Sequence, residues 1–172
     1  MNQLILEPSV QKTEVFEQTS QWLDKQGFRV VKKDDSRPWG GFFVIDENQT
    51  ATFAATFFPE IKLSDIQITQ KLSPKILVVG PDKRLSWQYH FRRAEIWRVV
   101  TGTVAVKTSP TDEEGDIQTH APGSLIVLQQ GERHRLIGLE EWGIIAEIWQ
   151  HTDANNPSDE DDIVRVQDDF GR

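Results

Sequence analysis

Cysteine is absent from all 172 positions of the sequence. Its absence excludes disulfide bonds, cysteine-ligated zinc and thiol catalysis, and it agrees with a cytoplasmic location, which is the one we expect. Long apolar runs are absent too, because no stretch approaches the roughly 18 consecutive apolar residues of a membrane helix. Residues 1–10 also lack the basic region and apolar run of a secretory signal. We therefore expect no membrane partner.

Positive charge is scarce relative to negative charge. The chain has 19 lysine and arginine residues against 27 aspartate and glutamate residues, which gives a net charge of -8. An acidic protein repels polyanions, so nucleic acid is not an expected partner. A phosphorylated small molecule remains compatible, because a local cluster of arginines acts at short range. The 6 Trp and 9 Phe residues predict a sizeable core, and the length fits one domain.

The elements predicted from residue patterning change in character along the chain. Residues 8–26 predict an amphipathic helix that ends at Gly27, and residues 50–58 predict a second, short helix. Residues 40–45 between them predict a strand. After residue 61 the pattern becomes short strands separated by turns, which is typical of an all-β roll or barrel. The clearest of these strands are predicted at 75–80, 85–91, 95–102, 103–108 and 124–128.

The strand predicted over residues 85–91 has two chemically different faces, because side chains alternate along a strand. One face is aromatic and consists of Trp87, Tyr89 and Phe91. The other face is polar and consists of Gln88, His90 and Arg92. The aromatic face is expected to pack on a second layer, such as the N-terminal helix or a partner subunit. The polar face fits the lumen of a barrel, and it fits equally well an edge strand with one solvated face.

Two further residues could join that polar face. Glu95 has the wrong parity to continue it, but a turn at residues 92–94 would return Glu95 to the same pocket. His134 follows a glycine-containing turn at the start of another predicted strand. With Gln88 and His90, these residues would form a divalent-metal site suited to zinc, iron, manganese or nickel. Two distant histidines are otherwise weak evidence, so the pattern alone leaves the metal open.

Short motifs follow one another along the chain in a specific order. They are Arg37-Pro38-Trp39-Gly40, Arg84-Leu85-Ser86-x-Gln88-x-His90, Arg93-Ala94-Glu95-x-Trp97, Gly131-x-x-His134-Arg135-Leu136, Glu160-Asp161-Asp162-Ile163-Val164-Arg165 and Phe170-Gly171-Arg172. In this order they resemble the cupin domain of type II mannose-6-phosphate isomerases, a domain often fused to a mannose-1-phosphate guanylyltransferase. The acidic run 158–162 predicts a solvated loop on composition alone, whereas the resemblance makes it part of a family signature.

The resemblance implies a fold and a domain division. The fold would be an all-β, cupin-type double-stranded β-helix, which is a jelly-roll barrel, with an N-terminal helical extension. Residues 1–36 would form the extension and residues 37–172 the cupin barrel domain. Residues 48–66 look like an addition to the family's core, which could cap the mouth of the barrel or pair subunits. A homodimer is the expected assembly.

The resemblance also implies a set of site residues. The metal, zinc first and otherwise iron, manganese or nickel, would be held by Gln88, His90, Glu95 and His134. The cations assigned to the sugar phosphate are Arg84, Arg92, Arg135 and Arg165, of which Arg135 and Arg165 would also stabilise transition-state charge. For each arginine the alternative is a surface ion pair with one of the many carboxylates.

The chain departs from the family at one position that matters for chemistry. Where the family has His-x-His, this sequence has His90-Phe91-Arg92, and an arginine has no lone pair to offer a metal. The guanylyltransferase half is not represented, since no glycine-rich phosphate-binding loop occurs in the sequence. Sugar-nucleotide synthesis is therefore not expected.

Three functions are compatible with these features. The first is a metal-dependent aldose–ketose isomerase acting on mannose 6-phosphate or a related sugar phosphate, with Glu132 and Glu147 as possible but unsupported bases. The second is a non-catalytic cupin that binds a sugar or sugar phosphate. The third is a metal-dependent oxygenase, since cupins host that chemistry on the same fold.

Overall fold

The computed structural model describes residues 3–7 and 10–172. The α-helices are α1 (Lys12–Lys25), α2 (Thr50–Phe57) and α3 (Leu63–Ile66), and a 3-10 helix covers Glu47–Gln49. The strands are β1 (Val30–Asp34), β2 (Gly40–Ile45), β3 (Lys75–Val79), β4 (Trp87–Tyr89), β5 (Arg93–Thr101), β6 (Val104–Ser109), β7 (Gln118–His120), β8 (Leu125–Leu128), β9 (Arg133–Gly138), β10 (Gly143–His151) and β11 (Val164–Gln167). None of the helices in the described ranges has the length and apolar character that a membrane crossing requires.

The strands form two antiparallel sheets. The larger has the order β1-β2-β3-β10-β5-β8, and the smaller has the order β11-β4-β9-β6-β7. One buried cluster joins the two sheets, because it takes Trp97 and Ile145 from the larger sheet and Val106 and Leu136 from the smaller. Two sheets that share one core are the architecture of a jelly-roll barrel. The predicted all-β, cupin-type fold is therefore confirmed.

The helices cover the outer face of the larger sheet. In a second buried cluster Phe16 of α1 stacks on Phe43 of β2 at 5.3 Å between ring centroids, and Phe53 of α2 is completely buried. The insertion at residues 48–66 thus packs against the back of the sheet, and among the described residues none of it lines the barrel cavity described below. β1, inside the predicted extension, pairs with β2, so a continuous sheet joins residues 30–34 to the barrel.

The first helix ends where the sequence predicts and begins later than predicted. Gly27 has φ +83°, a left-handed conformation that glycine adopts readily. The N–H of Gly27 donates to the carbonyl oxygen of Asp24, and the N–H of Phe28 donates to that of Leu23, which closes the last turn. The helix begins at Lys12 instead of residue 8. Pro8 and Ser9 lie outside the described residues.

The strand predicted over 85–91 is shorter than expected. β4 covers Trp87–Tyr89 only, and the chain turns at residues 91–92, so β5 begins at Arg93 within the turn predicted at 92–94. The N-terminal helix does not cover the aromatic face, because α1 packs on the other sheet. Trp87 instead donates its indole N–H to the carbonyl oxygen of Asp112 at 2.8 Å.

Candidate metal centre and cavity

A cavity of about 420 Å³ opens between the two sheets. Its floor is polar because alternate residues of β5 and β10 point inward, while the residues between them pack against the helices. From β5 the inward residues are Arg93, Glu95 and Trp97, and from β10 they are Glu147 and Trp149. Gln88 of β4 lines the same cavity, so the polar side of β4 itself faces a barrel lumen, whereas Arg92 beyond the strand does not line it.

His90, Glu95 and His134 form a compact buried cluster beside this floor. Their potential ligand atoms all lie within 4.8 Å of one another, and each of the three residues is 2% exposed. His90 follows β4, Glu95 lies on β5 and His134 lies on β9. The bend at residues 91–92 leads from β4 in the smaller sheet to β5 in the larger one, and Glu95 lies near the histidines, as the sequence predicted.

Hydrogen bonds fix the orientation of both imidazoles. His90 Nδ1 lies 2.7 Å from the carbonyl oxygen of Asp162, and His134 Nδ1 lies 3.0 Å from that of Glu132. Because a carbonyl oxygen only accepts, each Nδ1 carries a hydrogen, and in the neutral imidazole the Nε2 then presents a lone pair. Histidines that bind metal through Nε2 are held in this way.

The two lone pairs face oxygens that also accept. His90 Nε2 is 3.1 Å from Glu95 Oε1, and His134 Nε2 is 3.4 Å from Glu95 Oε2. Within the described residues, the buried His134 Nε2 has no hydrogen-bond partner. Acceptors that face one another without a shared proton repel, and a cation between them would satisfy all of them. The cluster could therefore hold a divalent metal ion.

Arg93 is the permanent cation beside the cluster. Its Nε donates to Glu95 Oε1 at 2.8 Å, and its Nη2 lies 3.3 Å from His90 Nε2. Burial lowers the pKa of His90. Burial alone would raise the pKa of Glu95, but the electrostatic interactions with His90 and Arg93 outweigh it and hold the pKa well below its usual range. Glu95 is thus ionised, and its carboxylate oxygens are suited to bind a metal ion.

Gln88, the fourth predicted ligand, adjoins the cluster. It lies opposite His134 in the β4–β9 pairing and lines the cavity. Its amide oxygen, the atom expected to meet a metal, accepts a hydrogen bond from Ser86 Oγ at 2.6 Å.

The acidic segment 158–162 is folded against the turn that follows β4. The carboxylate of Asp162 accepts the backbone N–H groups of Phe91 and Arg92, both at 2.9 Å, and the hydroxyl of Ser158 at 2.6 Å. Ser158 is 0% exposed and Asp162 is 4% exposed. The solvated loop expected from composition is wrong for these two residues, because their polar atoms are used to hold the turn.

Glu147 lies in the same cavity, on β10. Its Oε1 accepts the indole N–H of Trp97 at 3.0 Å. Burial, and then the negative charge of Glu95, raise the pKa of Glu147 to about 8. A carboxyl group in this range can both give and take a proton near neutral pH. Glu132, the other base considered from the sequence, lies outside the cavity lining and accepts the backbone N–H of Gln129.

The structure separates Arg165 from Arg135. Arg165 lines the cavity and lies opposite Gln88 in the β4–β11 pairing. Arg135 directly follows His134 on β9, so its side chain takes the opposite face of the sheet. There it is fully buried and donates to Glu114 at 2.6 Å. The position of Arg135 gives no support to the predicted contact with substrate, and we leave it out of the proposed site.

Arg84 and Arg92 also point away from the cavity. Arg84 forms an ion pair with Asp169 at 2.6 Å, and Arg92 lies 3.4 Å from a carboxylate oxygen of Asp159. Neither is among the described residues that line the cavity. Both arginines therefore form ion pairs with carboxylates, which was the alternative to substrate binding.

Four cations of the cavity were not assigned to the site from the sequence, namely Arg37, Lys75, Arg93 and Arg172. Of these, Lys75 Nζ and Arg93 Cζ lie 4.0 and 3.7 Å from the ring centroid of Trp149. Strand parity could have identified Arg93, which lies two residues before Glu95 and so shares its face. Lys75 carries no such signal, because the other residues of β3 are apolar and the sequence assigned none of them to the site.

The family model described as "Mannose-6-phosphate isomerase C-terminal" matches residues 46–168. The mannose-1-phosphate guanylyltransferase of Escherichia coli (strain K12) is 32% identical over 142 residues, which are 83% of this chain and 24% of that protein. The xanthan biosynthesis protein XanB of Xanthomonas campestris pv. campestris (strain ATCC 33913) is 31% identical over 136 residues, 79% of this chain and 23% of that protein. The chain thus spans about a quarter of the length of these relatives.

Two solved structures are similar in fold. The capsular polysaccharide assembling protein CapF from Staphylococcus aureus has a TM-score of 0.53 at 11% identity, over 79% of this chain and 31% of that one. The oxalate decarboxylase from Bacillus subtilis has a TM-score of 0.52 at 14% identity, over 74% of this chain and 28% of that one. At such identities the likeness concerns the fold alone. The match to the family model and the relatives above 30% identity, together with the motif order and the buried cluster, show that this chain belongs to the family described as mannose-6-phosphate isomerase C-terminal.

Proposed function

We propose that this chain is a metal-dependent aldose–ketose isomerase that acts on a phosphorylated sugar, mannose 6-phosphate and fructose 6-phosphate or a related pair. One observation carries the proposal. Glu95 of the metal-competent cluster and the buried carboxyl group of Glu147 line the same cavity, and His90 and His134 lie directly behind Glu95. Family membership supports it, since the family is described by this activity.

In the proposed site His90, Glu95 and His134 hold the metal, and Gln88 adjoins them as a further oxygen donor. Zinc is the first choice for two imidazoles and a carboxylate, with iron, manganese or nickel as the alternatives. When bound, such an ion polarises a carbonyl group and stabilises the oxyanion that develops on it.

Glu147 is the proposed proton carrier. As a carboxylate it takes the proton from C2 of the open-chain aldose and returns it to C1, while the hydroxyl proton passes from O2 to O1. Trp97 holds one oxygen of Glu147, which leaves the other free to face the sugar. Burial places the pKa of Glu147 near the pH at which the carboxyl must work in both directions.

A second function is favoured by the position of Arg93. Its guanidinium already neutralises Glu95 and lies beside His90, so the cluster has a resident cation. A site stabilised in this way could bind a sugar phosphate without metal and without turnover. The metal content of the purified protein distinguishes this binding module from the isomerase.

The test combines metal analysis with an activity assay. The protein is purified without added metal, its metal content is measured, and conversion of mannose 6-phosphate to fructose 6-phosphate is followed with and without EDTA. We expect bound metal and turnover that EDTA abolishes. His134→Ala should lose the metal, whereas Glu147→Gln should keep the metal and lose turnover by about 100-fold or more.

The matched control is His120→Ala, which removes a histidine on β7 outside the cluster. It should retain both metal and turnover. Bound metal without turnover would reject this substrate and send the search to heptose phosphates. Absence of both metal and turnover would overturn the isomerase and leave the binding module.

A further inference from the structure

Arg93, the first residue of β5, is a buried cation beside the cluster of His90, Glu95 and His134. It is 5% exposed, and its guanidinium lies on the ring of Trp149 with Cζ 3.7 Å from the ring centroid. The charge of this side chain is permanent, because a guanidinium does not lose its proton in a protein. A fixed positive charge at this place opposes the binding of a second cation.

The guanidinium of Arg93 contacts two of the atoms that a metal ion would use. Its Nη2 lies 3.3 Å from His90 Nε2, and its Nε donates to Glu95 Oε1 at 2.8 Å. His90 Nδ1 donates its hydrogen to the carbonyl oxygen of Asp162, so in the neutral imidazole Nε2 accepts from Arg93. An imidazole nitrogen has one lone pair. His90 Nε2 therefore cannot accept from Arg93 and bind an ion at the same time.

Glu95 is not subject to the same restriction. A carboxylate oxygen has two lone pairs, so Oε1 can accept from Arg93 Nε and still bind an ion. Binding of a metal by all three residues of the cluster therefore requires the loss of one contact of Arg93, the contact with His90.

Other contacts hold the guanidinium of Arg93 from the opposite side. Its Nη1 donates to the hydroxyl of Ser158 at 2.8 Å and to the carbonyl oxygen of Asp159 at 3.0 Å. Together with Glu95 and the ring of Trp149, these groups fix the side chain without any help from His90. The positive charge thus stays near the cluster when the contact with His90 is lost.

Arg93 satisfies only one side of the cluster. On the other side His134 Nε2 faces Glu95 Oε2 at 3.4 Å. In the part of the chain that the structure describes, this buried nitrogen has no hydrogen-bond partner. A buried acceptor without a donor is destabilising. The arginine thus stabilises the cluster at His90, whereas the side at His134 favours an ion.

We propose that Arg93 is a built-in competitor for the metal, which occupies the lone pair of His90 in the metal-free protein and gives it up when an ion binds. The proposal rests on the proposed metal site and is independent of the isomerisation. The cluster has two states, one filled by arginine and one filled by metal. Arg93 lowers the metal affinity of the cluster, so the occupancy of the site depends on the concentration of free metal.

The test measures zinc binding apart from catalysis. The full chain is stripped with EDTA, the chelator is removed, and zinc affinity is measured by competition with a second chelator. We expect Arg93→Gln to bind zinc about tenfold or more tightly than the wild type, because the fixed charge is gone. Zinc should also raise the unfolding temperature of this variant more than that of the wild type, since without Arg93 the buried carboxylate of Glu95 lacks its cationic partner until an ion binds.

The matched control is Arg98→Gln, which removes an arginine of the same strand that is paired with Glu60 and donates to the carbonyl oxygen of Phe57. It should bind zinc as the wild type does. Ser158→Ala tests the other role of Arg93, because it loosens the acidic segment and keeps the guanidinium. This variant should not bind zinc more tightly than the wild type.

Two further measurements avoid the risk that Arg93→Gln does not fold without zinc. Arg93→Lys keeps the charge without the fork of donors, and its zinc affinity should lie between those of Arg93→Gln and the wild type. In the unaltered protein, the ¹⁵N resonances of His90 Nε2 and of the Arg93 guanidinium should shift together when zinc is added.

Each outcome separates the competitor from the isomerase. Zinc binding by Arg93→Gln and Arg93→Lys that is no tighter than that of the wild type would overturn the competitor, even if the wild type shows turnover that EDTA abolishes. Tighter zinc binding by both variants, in a protein without turnover, would keep the competitor and reject the isomerase. Absence of zinc binding in every variant would overturn the competitor together with the metal site.

Discussion

Trp97 donates its indole N–H to Glu147 across the β5–β10 pair, at 3.0 Å, inside the cavity. This bond favours the ionised carboxylate, because a donor stabilises the charged form of an acid. It acts against burial and the charge of Glu95, which raise the pKa of Glu147 to about 8. Trp97 thereby limits the rise in the pKa of Glu147, which helps this carboxyl group to take and give a proton near neutral pH.

The first prediction concerns that bond. Trp97→Phe keeps a large apolar ring and removes the donor, so the pKa of Glu147 should rise further. The acid limb of the pH profile of kcat/KM for mannose 6-phosphate should move to higher pH, and isotope-edited infrared spectroscopy should show the carboxyl titrating at the same higher pH. An unchanged titration of the carboxyl would contradict the role given to Trp97.

The second prediction concerns the acidic segment and metal affinity. Asp162→Ala removes the carboxylate that holds the backbone at Phe91 and Arg92, and so loosens the turn that carries His90. We expect zinc affinity, measured by competition with a chelator, to fall about 10- to 100-fold, as when the groups that orient metal ligands are removed. Asp161→Ala, an exposed neighbour, is the control and should leave the affinity unchanged. Equal losses in both variants would indicate an effect of charge alone.

The third prediction concerns the pH dependence of stability through His151. Its Nδ1 accepts the backbone N–H of Ser158 at 2.9 Å, and burial lowers its pKa to about 4. In the unfolded chain a histidine binds its proton near pH 6.5. The unfolded state therefore binds more protons between these values, and the contribution of His151 to stability is lost as the pH falls from 6.5 towards 4.

Urea unfolding at pH 7 and pH 5 checks the contribution of His151. The free energy of unfolding should fall between the two conditions, and it should fall less in His151→Gln, which has no imidazole to protonate. Carboxylates contribute equally to both proteins, so the difference isolates His151. An identical decrease in both would exclude this role.

The fourth prediction concerns how firmly the N-terminal helix belongs to the barrel. Phe16 is 2% exposed and stacks on Phe43 of β2. Phe16→Ala should lower the free energy of unfolding by about 3–5 kcal/mol, the usual cost of emptying a buried aromatic site. Phe91→Ala, at a residue that is 59% exposed, is the control and should change stability little. If residues 1–36 were an independent extension, the main unfolding transition of Phe16→Ala would match that of the wild type.

The local pattern of the sequence was sufficient for most elements of the fold. Alternation and turn residues predicted the strands, because a half-buried strand must place apolar residues at every second position. Gly27 predicted the end of α1, because the left-handed conformation there suits glycine. The motif order identified the cupin-type barrel, and His90, Glu95 and His134 were chosen correctly as neighbours.

Only the tertiary structure decided which charged residues face the cavity and which face away. Arg135 and Arg165 both lie in family motifs, yet Arg135 donates to Glu114, which is distant in sequence, while Arg165 lines the cavity. The same holds for the burial of Ser158 and Asp162 in a run that composition assigns to solvent. The physical reason is that the partners of a charged side chain come from strands distant in sequence. A local pattern determines the strand and its alternation, whereas the pairing of strands determines what each side chain meets.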